Sequence, residues 1–428
     1  MNKRNLIPIR EYESFVSDRE AAGCITLPEH TFEQLEKFLL LNRGRGDDAL
    51  ELMGLSARKG IGKMITAKNY IGLIAMNDGT MIEILPKICS KTGDGDSRVK
   101  RLVVEMLRSL RDMPYKSVQT AHVNVDRMNL FEIFIRMFLD EVFAIVKRGL
   151  QSGYKAVESN ENTVKGKIVF PEHIKRNFAH KERTFVKFDE FNHNRPENKL
   201  IKAALLFLYR KTTSIRNKAD IKTLLNMFAG VDASTDHEGD FIKCVSERNM
   251  WDYETALLWC RVFLTGRSFT SFAGSEVAYA LLFPMEILFE RFVALKLKKL
   301  LSGNEFQVSV QDRTYHLFDD PDKRFSMRPD IVVRRKSDGV IFVMDTKWKL
   351  LSNAKANYGI AQADMYQMYA YQKKYAANSV ILLYPMTDMV SDKAIEFHSG
   401  DGVTVRVMFL DLFELAGSLK KIYTLLKN

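Results

Sequence analysis

Acidic side chains flank two apolar segments in the stretch RFSMRPDIVVRRKSDGVIFVMDTKWKL, which covers residues 324–350. Asp330 precedes the first apolar segment, and Asp345 and Lys347 follow the second. Charged groups beside buried strands are unfavourable unless a counter-ion or hydrogen bonds satisfy them. The spacing therefore leaves two alternatives: a salt bridge that serves the fold, or a site for a metal ion and an anionic substrate.

The chemistry that this spacing could support is phosphodiester hydrolysis. A tight turn between the two segments would bring Asp330 and Asp345 together, and Lys347 points to the same side of its strand as Asp345. Two or three carboxylates form a hard oxygen site that suits Mg²⁺ or Mn²⁺. Such an ion binds a phosphate oxygen and acidifies a bound water, while a lysine beside it can orient or help deprotonate that water and offset negative charge. In the structural alternative, Lys347 only pairs with one of the aspartates.

A predicted helix before these strands offers a further carboxylate. It covers residues 278–301 and places Glu286 and Glu290 four residues apart. Residues at this spacing share one face of a helix, so either glutamate could complete the site.

A second predicted helix, over residues 360–375, follows the strands. It places Gln367 and Tyr371 one turn apart, as a polar pair that could bind a phosphate or a water. We interpret Tyr366 and Tyr369 of the same helix as an aromatic stripe in the core.

The length of 428 residues predicts two or three domains. We expect residues 1–125 to form a β-rich domain and residues 126–268 a mainly helical middle region with a basic loop. Residues 269–428 have the α-β-β-β-α-β order of a mixed sheet flanked by helices. The predicted fold class is therefore a multidomain combination of α+β and α/β architecture.

Local patterns predict several elements outside the candidate site. Residues 69–88 read as a β-hairpin with an Asn-Asp-Gly turn at 77–79, and the glycine-rich residues 41–63 as an exposed loop. Apolar residues at helical spacing predict three helices in the middle region, which begin near Met128, Asn198 and Trp251.

The charge balance suits a polyanionic partner without identifying one, since the net charge is +11. Residues 151–220 contain 15 Lys and Arg against 8 Asp and Glu, and this stretch is either a contact for DNA phosphates or a solvated basic face. No apolar run is long enough to span a bilayer, and the amino terminus has no signal-peptide core, so we expect a cytoplasmic protein without membrane contact.

The polar residues together resemble the PD-(D/E)xK nucleases, in the branch with a Gln-x-x-x-Tyr helix. Further segments widen the likeness to most of the chain from about residue 70, and these resemble McrC, the nuclease subunit of the McrBC modification-dependent (type IV) restriction system. The segments are IGLIAMNDGTMIEILPKI, KRGLQSGY, VKGKI, FDEFNHNRPENKLIKAAL and FPMEILFERFV.

The resemblance implies a role for each matched residue. Asp330 and Asp345 would be ligands of Mg²⁺ or Mn²⁺, and Glu290 would complete the metal site directly or through a water. Glu286 is a rival for that role. Lys347 would be the catalytic lysine of a metal-dependent endodeoxyribonuclease.

Gln367 and Tyr371 would be supporting residues in the same family. The resemblance also implies a restriction endonuclease domain over residues 269–428 and a docking role for residues 1–125. No matched motif assigns the residues that contact the partner, although the loop at Arg43–Arg45 is a candidate.

The partner implied by the resemblance is a McrB-like AAA+ ring that hydrolyses GTP and recognises DNA carrying modified cytosine, such as 5-methylcytosine. This chain would stimulate that GTPase and cut double-stranded DNA, with a second copy in the cleaving assembly. It lacks a GxxxxGK[ST] motif, so GTP would be used by the partner alone. Two alternatives stay open: a free-standing repair or restriction nuclease, and a non-catalytic activator of an AAA+ motor.

Overall fold

The computed structural model divides the chain into two compact units, Met1–Leu130 with Ser268–Asn428 and Phe131–Arg267. The predicted three-part division stays a prediction, and the structure groups its first and last parts in one unit. The structure describes residues 6–18, 21–41, 52–76, 80–88, 95–107, 109, 130–244, 252–265, 277–301, 303, 305–387, 390 and 393–427.

The amino-terminal part of the first unit consists mainly of strands. Strands β6 and β7 pair antiparallel, which confirms the two strands of the predicted hairpin, while its turn at 77–79 lies outside the described residues. Strands β2 to β5 form a sheet in the order β3-β2-β5-β4. The elements are β1 (Leu6–Arg10), β2 (Ser14–Ser17), β3 (Cys24–Leu27), α1 (Glu29–Leu41), β4 (Met53–Arg58), β5 (Gly62–Ala67), β6 (Tyr70–Met76), β7 (Met81–Leu85) and α2 (Gly95–Leu107).

The predicted loop over residues 41–63 is wrong in its second half. Strand β4 and the start of β5 lie there and pair antiparallel. Met53 is buried in the core against which α1 packs, so long-range pairing and burial outweigh the local glycine content. Residues 42–51, with Arg43 and Arg45, lie outside the described part of the chain.

The second unit is mainly helical, and its three predicted helices are confirmed as α3, α5 and α8. Its core includes Trp259, whose indole stacks on the ring of Phe263 at a centroid distance of 5.6 Å. A small sheet in the order β8-β10-β9 accompanies the helices, and helices α4, α6 and α7 were not predicted. The elements are α3 (Leu130–Arg148), β8 (Gly153–Glu161), β9 (Lys167–Ile168), α4 (Phe170–Asn177), β10 (Thr184–Asn192), α5 (Pro196–Lys211), α6 (Ile215–Met227), α7 (His237–Cys244) and α8 (Glu254–Thr265).

The carboxy-terminal part of the first unit forms a mixed sheet in the order β12-β15-β16-β17-β19-β18. Strands β16, β17 and β19 run parallel, and the other neighbours pair antiparallel. Helices α9, α10 and α11 pack against this sheet, and of these α9 and α10 were predicted from the sequence. The elements are β11 (Val277–Pro284), α9 (Met285–Leu300), β12 (Phe306–Val310), β13 (His316–Phe318), β14 (Arg324–Ser326), β15 (Ile331–Arg335), β16 (Ile341–Thr346), α10 (Gln362–Tyr375), β17 (Ser379–Pro385), β18 (Ile395–His398), β19 (Thr404–Leu410) and α11 (Leu415–Lys427).

The predicted helix over residues 278–301 is wrong in its first quarter, where strand β11 lies instead. Pro284 is the N-cap of α9, because its ring fixes φ and it has no N–H to donate inside a helix. The apolar residues before it pair antiparallel with β6 and extend a sheet in the order β1-β7-β6-β11. Strand β11 therefore joins the β-rich part directly to the helix that carries Glu290.

Within the described part of the chain, no helix is both long and apolar enough to cross a membrane.

We expect Gly72→Ala to destabilise this joint sheet. Gly72 in β6 has φ +136, and a Cβ atom there would lie 1.8 Å from the carbonyl oxygen of Leu281 in β11. A clash with backbone cannot be relieved by a rotamer change, so the loss should be about 2 kcal/mol or more. Thermal unfolding followed by scanning fluorimetry measures it.

Gly54→Ala in β4 is the matched control. Its Cβ atom would meet only the Cε atom of Lys68, at 3.4 Å, and its φ is not positive. A melting temperature of Gly72→Ala equal to that of Gly54→Ala would contradict the close approach of β6 and β11.

Candidate active site

Asp330 and Asp345 lie one residue beyond the Ile331–Met344 pair of the antiparallel strands β15 and β16. Residues opposite each other on antiparallel strands share a face, so the two carboxyl groups lie close together. Only 2% of Asp345 is exposed. Burial raises the pKa of Asp345 to about 7, and the negative charge of Asp330 adds to the effect. The strand pairing thus concentrates like charge where water cannot screen it.

Asp330 is partly stabilised by Thr346. Its Oδ2 atom accepts hydrogen bonds from the N–H and the hydroxyl of Thr346, both at 2.7 Å. Burial nevertheless raises the pKa of Asp330 to about 6, with a further contribution from the charge of Glu290. Two hydrogen bonds therefore do not offset the combined cost of burial and like charge.

Lys347 supplies the counter-charge of the site. Its Nζ atom lies 2.5 Å from Oδ2 of Asp345. This contact is an ion pair by distance, but it lacks the direction of a hydrogen bond, and within the described residues this buried oxygen has no hydrogen-bond partner. Burial opposes the charge on Lys347, but Asp345 outweighs it and the pKa of the lysine is raised. Lys347 therefore stays protonated at neutral pH.

A chain of side chains fixes the ammonium group from the helix side. Lys347 Nζ donates to Oε1 of Gln367 at 3.1 Å, and Nε2 of Gln367 donates to the hydroxyl of Tyr371 at 2.7 Å. Burial raises the pKa of Tyr371 to about 12, so its hydroxyl is neutral. Of the predicted polar pair on α10, Gln367 thus contacts the lysine, and Tyr371 contacts Gln367.

Glu290 faces Asp330 across an open cleft of about 530 Å³. The side-chain amide of Gln311 donates to Glu290. Burial raises the pKa of Glu290, and the charge of Asp345 adds to that, while Arg291 and Arg328 lower it. The cleft is lined by Ser109, Ile287, Glu290, Arg291, Ala294, Leu295, Lys298, Val310, Gln311, Arg328 and Asp330. It joins two candidate acidic residues to three basic side chains.

The structure separates the two rival glutamates. Glu286 accepts a hydrogen bond from the side-chain amide of Asn69 at 2.9 Å, and its charge acts on Glu11. The charge of Glu290 instead raises the pKa of Asp330. Of the two, only Glu290 lines the cleft with Asp330.

The donor set suits a hard divalent cation, although it is not gathered into a finished metal site. Among the described residues, no group of three or more His, Cys, Asp or Glu side chains is placed to hold a metal ion. Asp330, Asp345 and Glu290 nevertheless raise one another's pKa, and the buried Oδ2 of Asp345, although it lies 2.5 Å from Lys347, has no hydrogen-bond partner among the described residues. Mutual repulsion of carboxylates is relieved by a cation, so the chemistry of the residues fits Mg²⁺ or Mn²⁺.

A family model described as "McrBC 5-methylcytosine restriction system component" matches residues 65–385, or three quarters of the chain. The chain belongs to this family. The matched span includes every candidate site residue, and the match confirms the resemblance to McrC at the level of the family. No curated protein matches the chain.

Two solved structures resemble this member of the McrBC family. One is titled "Refined half-complex from tetradecameric assembly of Thermococcus gammatolerans McrB AAA+ hexamers with bound McrC", and its matching chain is 17% identical, with a TM-score of 0.69 over 99% of this chain and 100% of that chain. The other, titled "Cryo-EM structure of the Thermococcus gammatolerans McrBC complex", is 18% identical, with a TM-score of 0.49 over 70% and 90%. The first likeness shows a shared fold along nearly the whole chain.

The prediction for the aromatic stripe on α10 was wrong. Tyr366 is 65% exposed and Tyr369 42% exposed, while Tyr371 is buried. The face of α10 that packs into the core instead carries Met368, Tyr371 and Tyr375, at the spacing of one helical stripe. The sequence contained this signal, since these positions are separated by three and four residues.

Sequence reasoning missed Thr346 and Trp348, which flank Lys347. Thr346 holds Asp330, and the indole of Trp348 donates to Glu11, which lies 337 residues earlier in the chain. Thr346 lies between Asp345 and Lys347 in the sequence, but only the register of β15 and β16 shows its partner.

Replacing Asp345 by asparagine should change how stability depends on pH. The pKa of this carboxyl is raised from 3.8 to about 7 on folding, so the native state binds more protons than the unfolded state between these values. The resulting stabilisation is complete below the unfolded pKa and is lost as pH rises through the folded pKa. The melting temperature of the wild type should therefore fall from pH 5 to pH 8 relative to that of Asp345→Asn.

Asp338→Asn is the matched control, because Arg335 lowers the pKa of this exposed aspartate. The melting temperature of Asp338→Asn should therefore run parallel to that of the wild type from pH 5 to pH 8. Curves of melting temperature against pH that run parallel for the wild type and Asp345→Asn would contradict the raised pKa.

Proposed function

We propose that this chain is the DNA-cleaving subunit of a McrBC-like restriction system, a Mg²⁺-dependent endonuclease that cuts DNA with modified cytosine together with a GTP-hydrolysing McrB partner. The observation that carries the nuclease proposal is the buried Asp330–Asp345 pair with Lys347 beside it, next to a cleft that contains Glu290. Two carboxylates and a charged lysine at neighbouring strand ends, with α9 and α10 beside them, form the arrangement of a PD-(D/E)xK restriction-endonuclease-like domain.

Asp330, Asp345 and Glu290 would hold the divalent ion. Once bound, the ion would polarise a DNA phosphate and lower the pKa of a coordinated water. Ion binding would also relieve the repulsion that raises the pKa of each carboxyl. The three side chains would then be ionised at neutral pH, as ligands must be.

Beside Asp345, Lys347 is a charged hydrogen-bond donor, because this contact raises the pKa of its ammonium group. The ammonium offsets negative charge as it develops on the phosphate oxygens. Gln367 holds Nζ in place through its carbonyl oxygen, and Tyr371 holds Gln367 in turn. Correct placement matters because a small displacement of a catalytic group lowers the rate strongly.

The basic side chains of the cleft would contact the phosphates of DNA. Arg291, Lys298 and Arg328 line it together with Glu290 and Asp330. Lysine and arginine neutralise phosphates without reading sequence, so these contacts would position the backbone of double-stranded DNA. Recognition of the modified base belongs to the partner in this proposal.

Two findings support the assignment of the partner. The matched family model describes a component of the 5-methylcytosine restriction system, and the chain shares its fold with a chain of an assembly whose title names McrB AAA+ hexamers with bound McrC. We propose that residues 1–125 dock on the GTPase ring and stimulate it, and that two copies of this chain act together to cut both strands. A cytoplasmic location stays a prediction.

Plasmid cleavage tests the proposal. With Mg²⁺, the wild type should cut methylated plasmid only when the neighbouring AAA+ GTPase and GTP are present. Asp345→Asn should lower the rate by roughly 10³-fold, because it removes a charged ligand of the site, while its stimulation of the GTPase persists. Asp338→Asn, in the turn between β15 and β16, should cut like the wild type.

The other outcomes favour the alternatives. Cutting by this chain without partner or GTP would indicate a free-standing nuclease. Absence of cutting by the wild type, with GTPase stimulation intact, would indicate an activator in which the Lys347–Asp345 pair serves only the fold.

The support of Lys347 through α10 gives a second prediction. Tyr371→Phe removes one hydrogen bond to Gln367, so the cleavage rate should fall about tenfold, the effect of one lost hydrogen bond. Tyr366→Phe is a matched control, since the exposed Tyr366 accepts a bond from Gln362 one turn earlier on the same helix. Equal rates for the two variants would contradict the supporting role of Tyr371.

A further inference from the structure

Trp348 connects the end of the candidate catalytic strand to the amino-terminal strands. Its indole N–H donates to both carboxylate oxygens of Glu11, at 3.0 and 3.1 Å. Both side chains are buried. Glu11 directly follows β1, and Trp348 directly follows Lys347. The hydrogen bond of the indole N–H therefore joins the β-rich part to the residue beside the candidate catalytic lysine.

Lys87 contacts both residues of this hydrogen bond. Its backbone N–H donates to Oε2 of Glu11 at 3.0 Å, and its Nζ donates to the backbone carbonyl of Trp348 at 3.3 Å. The ammonium also lies 4.4 Å from the centre of the Tyr12 ring. Glu11 and Lys87 thus hold Trp348 at its side chain and at its backbone.

The far side of the indole faces the helix that carries Glu290. The rings of Trp348 and Phe289 lie 5.3 Å apart, and Phe289 directly precedes Glu290. On the strand side, the N–H of Lys347 donates to the carbonyl of Leu383 in β17 at 2.9 Å. The indole therefore contacts Glu11 at the end of β1 and Phe289 in α9, while its backbone directly continues the strand that carries Asp345.

A buried glutamate needs a reason to be there. Burial raises the pKa of Glu11 to about 7, although Lys87 and the indole N–H of Trp348 both lower it. A leucine would fill the space without that cost. The carboxylate fixes the orientation of the indole. It therefore also fixes the backbone at Trp348, which directly follows Lys347.

We propose that Glu11 and Lys87 are positioning residues for the candidate active site, which they serve by clamping Trp348 and thereby holding Lys347 in place. The proposal rests on the nuclease function proposed above. Through this clamp, the part of the chain proposed to dock on the GTPase ring contributes to the geometry of cleavage itself, not only to binding of the partner.

Hydrogen exchange tests the clamp without requiring any activity. The readout is the peptide that contains the amides of Lys347 and Lys349, which donate to the carbonyls of Leu383 and Lys347. Exchange in this peptide of the full chain should rise about tenfold in Glu11→Leu, which removes the acceptor oxygens, and in Trp348→Phe, which removes the donor, as expected for the loss of a hydrogen bond. In Tyr423→Phe, which removes a similar bond from tyrosine to Glu305, it should be unchanged.

Cleavage of methylated plasmid by the complex with the GTPase, in Mg²⁺ and GTP, tests the consequence. Glu11→Leu and Trp348→Phe should each lower kcat about tenfold, the effect of a lost hydrogen bond, with KM for DNA and stimulation of the GTPase unchanged. The double variant should be no slower than the slower single variant, because both changes break one contact.

Unchanged exchange in Glu11→Leu and Trp348→Phe overturns the clamp. Increased exchange with wild-type kcat overturns the positioning role, and so does a loss of GTPase stimulation, because the contact would then serve docking. If the wild type itself does not cut, the proposed nuclease function fails, while the exchange measurement still decides whether the clamp holds Lys347.

Discussion

Burial of like charge at the ends of β15 and β16 is the constraint on which the rest of the site depends. Pairing of the two strands places Asp330 opposite Asp345, and both side chains are buried beside the cleft. Thr346 and Lys347 offset part of the resulting repulsion, and the remaining part appears as raised pKa values. A protein that only needed a stable sheet would have apolar residues at both positions. The cost is understandable if a divalent cation and a phosphate complete the arrangement.

The fold brings the supports of this site from distant parts of the chain. Helix α9 follows β11, which pairs with β6 of the amino-terminal part, so Glu290 is placed by a sheet that the early sequence builds. Trp348 is held by Glu11. Removal of the first 125 residues would therefore expose β11 and release Trp348. A truncated chain cannot separate docking on a partner from support of the site, and point substitutions in the intact chain are needed.

The sequence predicted the parts of the molecule that local patterns determine. The hairpin strands, the three helices of the middle region and the order of elements around Asp330 and Asp345 follow from periodicity and turn chemistry, and the family resemblance is confirmed by the matched family model. The errors arose where distant segments decide the structure. Strand β11 reads as helix because its partner β6 lies about 200 residues earlier in the chain, and the Glu11–Trp348 contact has no local signal at all.

The most direct test of the cation site is anomalous diffraction from crystals of the full chain grown with Mn²⁺ near pH 8, where the carboxyl groups are ionised. The account predicts an anomalous peak from a Mn²⁺ ion that is coordinated by oxygen atoms of Asp330 and Asp345, with Lys347 moved from its contact with Asp345. Absence of a peak between these residues, with the Lys347–Asp345 pair intact, would contradict it and would leave the buried charges as a salt bridge of the fold.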